Sequence, residues 1–208
     1  MSGRPVDLAV WQGAAQFRFF RTYDRPHYAT TARVDVSHLM GRKADGVSPY
    51  RACLYAIGHG IHAVPELTMR FRGDAVVQHD IVTLSMTVPT DAGGFGYGYV
   101  PFDPDFETFD ARAKAHIAAV AAGGELDAND GKRDDLAYLS CMPWLDYTAI
   151  NNALPGPDDC IPRVSWGKFV DHGSRWDMAM TIEVHHALVA GAQVGAFFAA
   201  VQDALNGI

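Results

Sequence analysis

The strongest constraint on this chain is a change of hydrophobic period along its length. Three stretches repeat at helical spacing, and most of what lies between them alternates in β-forming residues. Over residues 48–63, Leu54, Ile57 and Ile61 recur on one side, with Ser48 placed as N-cap and Pro49 in the first turn. Residues 105–122 carry Phe106, Phe109, Ala113, Ile117 and Val120 and stop at Gly123-Gly124. Residues 191–206 carry Val194, Phe197, Phe198, Val201 and Leu205. Each of the three reads as a single-faced helix lying on a sheet. Strands are expected at 28–36, 67–71, 75–78, 81–88, 95–100, 136–141, 161–170 and 176–186, with Arg72-Gly73-Asp74 as a hairpin turn. No period of about 20–50 residues repeats and no low-complexity linker divides the chain, so residues 1–208 read as one α+β or mixed α/β domain. The segment Leu154-Pro155-Gly156-Pro157-Asp158-Asp159 reads as a flexible loop, too short for a domain linker.

Composition narrows the function classes. At 208 residues and 49% hydrophobic, the chain can bury a core without staples. Three cysteines (Cys53, Cys141, Cys160), an odd number without a CxxC spacing, read as reduced thiols in a cytoplasm-like compartment. A net charge of −7 without any Lys/Arg run argues against nucleic acid or an anionic membrane as main partner. The start, Met1-Ser2-Gly3-Arg4-Pro5-Val6-Asp7, has no uninterrupted apolar stretch, so no secretory or transit segment is expected. No window approaches the roughly 20 apolar residues of a membrane helix, and a soluble, cytoplasmic protein is expected.

Several motifs carry little chemistry. The glycine-rich run at 93–99 is followed by no Gly-Lys-Ser/Thr and reads as a glycine-and-aromatic strand near a bend or pocket wall. Arg72-Gly73-Asp74 reads as a turn rather than an adhesion signal. His59 and His62 share a helix with no second pair of ligands in view, so no metal site is expected.

The strongest local feature is Glu183-Val184-His185-His186-Ala187-Leu188-Val189-Ala190-Gly191, where the last strand gives way to the last helix. Counting back by twos from His186 gives Val184, Ile182, Met180 and Met178, all apolar; from His185 the count gives Glu183, Thr181, Ala179 and Asp177. Parity therefore places His186 on the buried side. Apolar surroundings favour a neutral imidazole, the form a general base needs. The same parity also fits a core histidine satisfied by its neighbours.

This segment resembles the signature of the chloramphenicol acetyltransferase family, in which the second histidine is the general base. Leu139-Ser140-Cys141-Met142-Pro143-Trp144 resembles the family's Ser-x-x-Pro-Trp segment, and Val164-Ser165-Trp166-Gly167-Lys168-Phe169 the segment about twenty residues before the histidines. Trp11, the run Phe17-Arg18-Phe19-Phe20-Arg21 and Val34-Asp35-Val36 fall in family order, so the resemblance covers nearly the whole chain. It implies a mixed β-sheet covered by helices, the coenzyme A-dependent acyltransferase fold, and direct acetyl transfer from acetyl-CoA to an acceptor hydroxyl. Acetyl-CoA would be a co-substrate, with no permanently bound cofactor. His186 would take the hydroxyl proton and Ser140 would donate a hydrogen bond to the oxyanion. Ser165 stands where the family has a threonine that holds an active-site water. Lys168 would meet the 3′-phosphate of coenzyme A and Phe169 its adenine. Phe19, Phe20, Tyr28 and Trp144 would line the acceptor pocket or its approach. The resemblance also implies a homotrimer with each site between two subunits. Taken without it, Ser140 fits a small strand residue, Lys168 a solvated lysine, and Phe20 and Tyr28 plain core aromatics.

Three positions depart from the family pattern. Ala190 replaces an aspartate and Gly13 an arginine, two side chains that pair in the family as a buried salt bridge. Losing both leaves no stranded charge, and the family holds the imidazole partly through the histidine's own carbonyl. Phe20 replaces a tyrosine, removing a phenol from the acceptor pocket. A different small-molecule acceptor, or a silent ligand-binding homologue, are the rival readings.

Overall fold

A computed structural model describes residues 3–123, 128–129, 131 and 133–208. Met1, Ser2 and the Gly124 of the expected helix stop lie outside the described residues. In chain order the elements are β1 (Arg4–Pro5), α1 (Ala14–Phe20), β2 (His27–Asp35), α2 (Ser37–Arg42), α3 (Pro49–Ala63), β3 (Met69–Arg72), β4 (Ala75–Gln78), β5 (Thr83–Pro89), β6 (Phe95–Pro101), α4 (Phe106–Ala121), β7 (Leu136–Cys141), β8 (Arg163–Trp166), β9 (Val170–Asp171), β10 (Trp176–His185) and α5 (Gly191–Gly207). The main sheet runs β2-β10-β8-β7-β5-β6, with β9 paired to β10, and a small second sheet runs β1-β4-β3. β7 is parallel to both β5 and β8 while the other pairings are antiparallel. The change of period led to strands and helices in one α+β or mixed α/β domain, and the mixed sheet is the one the resemblance implies.

The three periodic helices form where the capping chemistry places them. Ser48 and Asp105 accept hydrogen bonds from the backbone N–H groups of Arg51 and Thr108. The expectation that all three are single-faced fails for α3, which is buried nearly all round, from Ala52 to Gly60 and Ile61. Its glycines allow this: a Cβ at Gly58 would lie 2.5 Å from the Phe102 ring, and one at Gly60 2.6 Å from Val201 of α5. α4 keeps the expected form and buries only Phe109 and Ala113.

The expected strand at 161–170 is split. After Trp166, the Lys168 N–H turns away to donate to Leu145 O (2.8 Å), and a Cβ at Gly167 would lie 2.6 Å from that same carbonyl. Arg72-Gly73-Asp74 is the β3–β4 turn, with Gly73 at φ +60°. Apolar side chains on one face of the sheet, including Leu84, Met86, Val164, Trp166, Met180 and Ile182, join the helices in the core. The other face is polar, and it carries the candidate site.

Candidate active site

β10 ends at His185, and the strand is buried along nearly its whole length on both faces. Counting by twos therefore does not separate the two histidines, and parity misplaced the buried one. His185 is the buried imidazole, at 2% exposure. Its Nδ1 accepts the Ala187 N–H (3.1 Å), so its Nε2 donates to Pro157 O (2.9 Å). Burial, reinforced by the neighbouring His27, pushes its pKa down to about 4.

His186 lies just past the strand and is half-buried. Its N–H donates to Pro26 O (2.8 Å), and its carbonyl accepts the Gln16 side-chain amide (2.6 Å). The ring stacks on Phe20, with centroids 3.9 Å apart and planes 18° from parallel, and the Tyr28 ring lies 4.7 Å away, tilted by 55°. Nδ1 lies 3.0 Å from Val189 O. A carbonyl can only accept, so Nδ1 carries a proton and the neutral ring keeps its lone pair on Nε2. The anchor differs from the expected one. Nδ1 is held by the Val189 carbonyl, to which Tyr28 also donates (3.3 Å), while the carbonyl of His186 itself is taken by Gln16.

The positions of the missing ion pair show the same substitution of anchors. A Cβ at Gly13 would lie 2.3 Å from the Trp11 ring, so indole fills the space a longer side chain would need. Gln193 accepts the Ala190 N–H (3.2 Å) and reaches Glu66 (3.4 Å), capping α5 where an aspartate would otherwise stand. Neither Gln16 nor Gln193 carries a motif that sequence reading could have picked out.

Ser140 and Ser165 face each other across β7 and β8. They start a row continued by Thr87, one step beyond the Met86–Leu139 pair, and by Tyr97 on β6. Two residues along, Arg163, Tyr138, Ser85 and Tyr99 form a second row. These eight residues floor a cavity of about 340 Å³ that Asn152 also lines. Ser165 is 1% exposed and Ser85 2%, and neither hydroxyl has a hydrogen-bond partner among the described residues. Tyr97 and Tyr99 bear out the pocket-wall reading of the glycine-rich run. Ser85, Thr87, Tyr138, Asn152 and Arg163 carried no motif.

The structure thus sorts the expected site residues into two groups. Phe20 and Tyr28 gather around His186, with Phe19, 55% exposed, edge-on to Phe20 at 5.0 Å. Ser140 and Ser165 share the cavity floor. Nearby, the Leu145–Lys168 backbone bond ties the Pro143-Trp144 segment to the Lys168-Phe169 segment; Trp144 is 79% exposed, Lys168 exposed and Phe169 half-buried. Ser165 pairs with Thr181, five residues before His186, and Ser140 is one strand further on. The offset is about 17 Å along the strands and about 10 Å across them. Within one chain His186 and Ser140 do not share a reacting atom. Among the described residues no group of three or more His, Cys, Asp or Glu side chains could hold a metal ion, and no helix is long and apolar enough to cross a membrane.

The sequence model of the chloramphenicol acetyltransferase family matches residues 1–202. The chain belongs to that family. The chloramphenicol acetyltransferase of Campylobacter coli is 24% identical over 204 residues, covering 97% of each chain. Chloramphenicol acetyltransferase 3 of Escherichia coli is 22% identical over 209 residues, covering 99% of this chain and 98% of its own. A solved chloramphenicol acetyltransferase superimposes with a TM-score of 0.90 over 98% of this chain and 100% of its own, at 25% identity. A dihydrolipoamide acetyltransferase of Azotobacter vinelandii shares the fold at a TM-score of 0.64 and 15% identity, covering 93% of this chain and 86% of its own. The protein is therefore an acetyltransferase similar to chloramphenicol acetyltransferase, on an α/β acyltransferase fold.

Proposed function

We propose that the protein transfers acetyl directly from acetyl-CoA to the hydroxyl of a small acceptor, with His186 as general base. The observation that carries this reading is the His186 tautomer: Val189 O holds the proton on Nδ1, which leaves Nε2 free to act as a base. Nε2 takes the proton of the acceptor hydroxyl as the oxygen attacks the thioester carbonyl. The tetrahedral oxyanion accepts a hydrogen bond from the Ser140 hydroxyl, a contact of the kind that contributes about 3–4 kcal/mol to a transition state. Collapse of the intermediate breaks the carbon–sulfur bond, and the coenzyme A thiolate takes the proton back from His186. No acyl-enzyme forms.

The separation of His186 and Ser140 within one chain calls for a second subunit, and by resemblance the working form is a homotrimer in which His186, Phe19, Phe20 and Tyr28 of one subunit face Ser140, Ser165 and Trp144 of the next. Lys168, exposed beside the Trp144 segment, supplies a positive charge for the 3′-phosphate of coenzyme A within an acidic protein, and Phe169 stacks on its adenine. Residues 1–208 act as one acyltransferase domain of the cytoplasm, without metal, permanent cofactor, membrane or nucleic-acid partner. By resemblance, chloramphenicol or a related antibiotic is the first acceptor to assay.

The test is release of coenzyme A thiol from acetyl-CoA in the presence of chloramphenicol and a panel of alcohols and amines, beside His186→Ala. Turnover that His186→Ala abolishes supports the reading. No turnover above that of His186→Ala with any acceptor overturns it and leaves a ligand-binding homologue.

A further inference from the structure

The geometry points to a polyhydroxylated acceptor, of sugar or polyol chemistry, recognised by Ser85 together with Ser165; this rests on the acetyltransferase reading above. Ligand pockets are as a rule lined mostly by apolar side chains with a few polar groups placed among them. Here ten of the thirteen lining residues carry a polar side-chain group. Every one of the eight floor residues carries a hydroxyl, phenol or guanidinium, and Leu139, Ala128 and Ala153 are the only aliphatic residues lining the cavity among the described residues. An aromatic or alkyl acceptor laid on this floor would leave the Ser85 and Ser165 hydroxyls without partners.

Two of the floor groups are unpartnered already. The Ser85 and Ser165 hydroxyls are buried and make no hydrogen bond, whereas other polar groups around them are engaged. Thr181 bonds Thr31 (2.7 Å), Tyr138 accepts from Asn129 (2.9 Å), and Arg163 is paired with Asp159 while its guanidinium lies over the Tyr138 ring. A buried hydroxyl with no partner costs about 1–3 kcal/mol unless something meets it. The cavity both serines line is where a ligand oxygen would do so. Since Arg163 is already paired with a carboxylate, the site favours neutral oxygens over an anion.

Position adds a length requirement. Ser165 on β8 and Ser85 on β5 are two strands and two residues apart, about 12 Å between Cα atoms. A monosaccharide contacts one serine at a time, and a disaccharide reaches both.

The experiment compares glucose, maltose and chloramphenicol as acceptors for coenzyme A release, in the wild type and in Ser85→Ala and Ser85→Val. Binding of maltose to each is measured separately by calorimetry. The expected result is a higher kcat/KM for maltose than for glucose or chloramphenicol. Ser85→Ala raises KM for maltose about tenfold with kcat unchanged, leaves chloramphenicol unaffected, and has a thermal midpoint at or above that of the wild type. Chloramphenicol turned over better than both sugars, with no effect of Ser85→Ala on any acceptor, overturns this inference and leaves the acetyltransferase reading intact. If no acceptor releases coenzyme A, the acetyltransferase reading falls, and calorimetry still decides the pocket: maltose binding lost in Ser85→Val supports the inference, and absence of maltose binding overturns it.

Discussion

Replacing Gln16 by leucine removes one hydrogen bond from the backbone that carries His186 and little else, because leucine keeps most of the side-chain volume. The amide of Gln16 reaches the His186 carbonyl at 2.6 Å from a helix 170 residues away, a tie between that carbonyl and α1. A net contribution of about 1 kcal/mol is expected for such a bond. The imidazole would keep its Val189 contact and its stack on Phe20, so the ring is loosened rather than lost. If the full 1 kcal/mol is expressed in the orientation of Nε2, kcat falls about fivefold. Gln16 does not touch the sites of Lys168 or Ser140, so KM for acetyl-CoA stays at the wild-type value. Gln16→Glu gives a readout that a merely structural role would not. An ionised carboxylate cannot donate to a carbonyl, so this variant should be worse than leucine near neutral pH and, relative to the wild type at the same pH, recover past leucine as the carboxyl protonates and regains a donor. Steady-state kinetics across pH, with thermal midpoints alongside, measure all of this. A Gln16→Leu enzyme within experimental error of wild type in kcat, together with a Gln16→Glu enzyme whose pH profile parallels it, would refute the assignment of Gln16 as the positioning residue that replaces the family's ion pair.

Three further outcomes follow from packing and burial. His185 has a folded-state pKa depressed to about 4 by burial, so it contributes stability that is complete above its unfolded value of about 6.5 and is lost as pH falls toward 4; urea midpoints should decline across that window, and less steeply in His185→Phe. Gly60→Ala forces a Cβ to within 2.6 Å of Val201 and 2.9 Å of Phe197, so α3 and α5 must separate, at about 1–3 kcal/mol by urea denaturation. Arg70 is fully buried with its guanidinium donating to the carbonyls of Leu67, Met69, Asp134 and Leu136, and Arg70→Met orphans these acceptors, lowering stability by about 3 kcal/mol or more.

How far the sequence was legible depended on whether the deciding interactions were local. α3, α4 and α5 could be read because Ser48 and Asp105 cap nearby N–H groups and the apolar stripes repeat within each segment. α1 escaped because it has only seven residues, no side-chain cap at Gly13, and an anchor in Phe17, whose ring packs on Phe71 from a distant strand. Alternation identified β10 but could not orient it. Loop residues such as Asn152, which donates twice to Glu183, cover its polar face, so Thr181, Glu183 and His185 are as buried as the apolar residues between them. The motif histidine and serine were recognised as residues, yet their separation became visible only through strand order, which places β8 between β7 and β10. The cavity floor was hidden for the same reason: Ser85, Tyr138 and Arg163 belong to three segments that become neighbours only in the sheet.

That separation yields the sharpest test of the assembled site. A cyclic trimer in which His186 of one subunit serves Ser140 of the next has three equivalent heterologous interfaces. His186→Ala removes the base from the site a subunit donates to, and Ser140→Ala removes the oxyanion donor from the site it hosts, at a cost of about 10²–10³ in kcat. Neither homotrimer contains an intact site. When the two variants are mixed in equal amounts and allowed to exchange subunits, a site is intact whenever its histidine comes from a Ser140→Ala subunit and its serine from a His186→Ala subunit. Random assembly makes this about one half times one half, so about a quarter of wild-type activity should return, far above the residual activity of either parent. If both residues served one site within a single chain, every site would carry one lesion and mixing would restore nothing. Coenzyme A release measured before and after exchange separates the two outcomes, and a mixture no more active than the sum of its parents would refute a site shared between subunits.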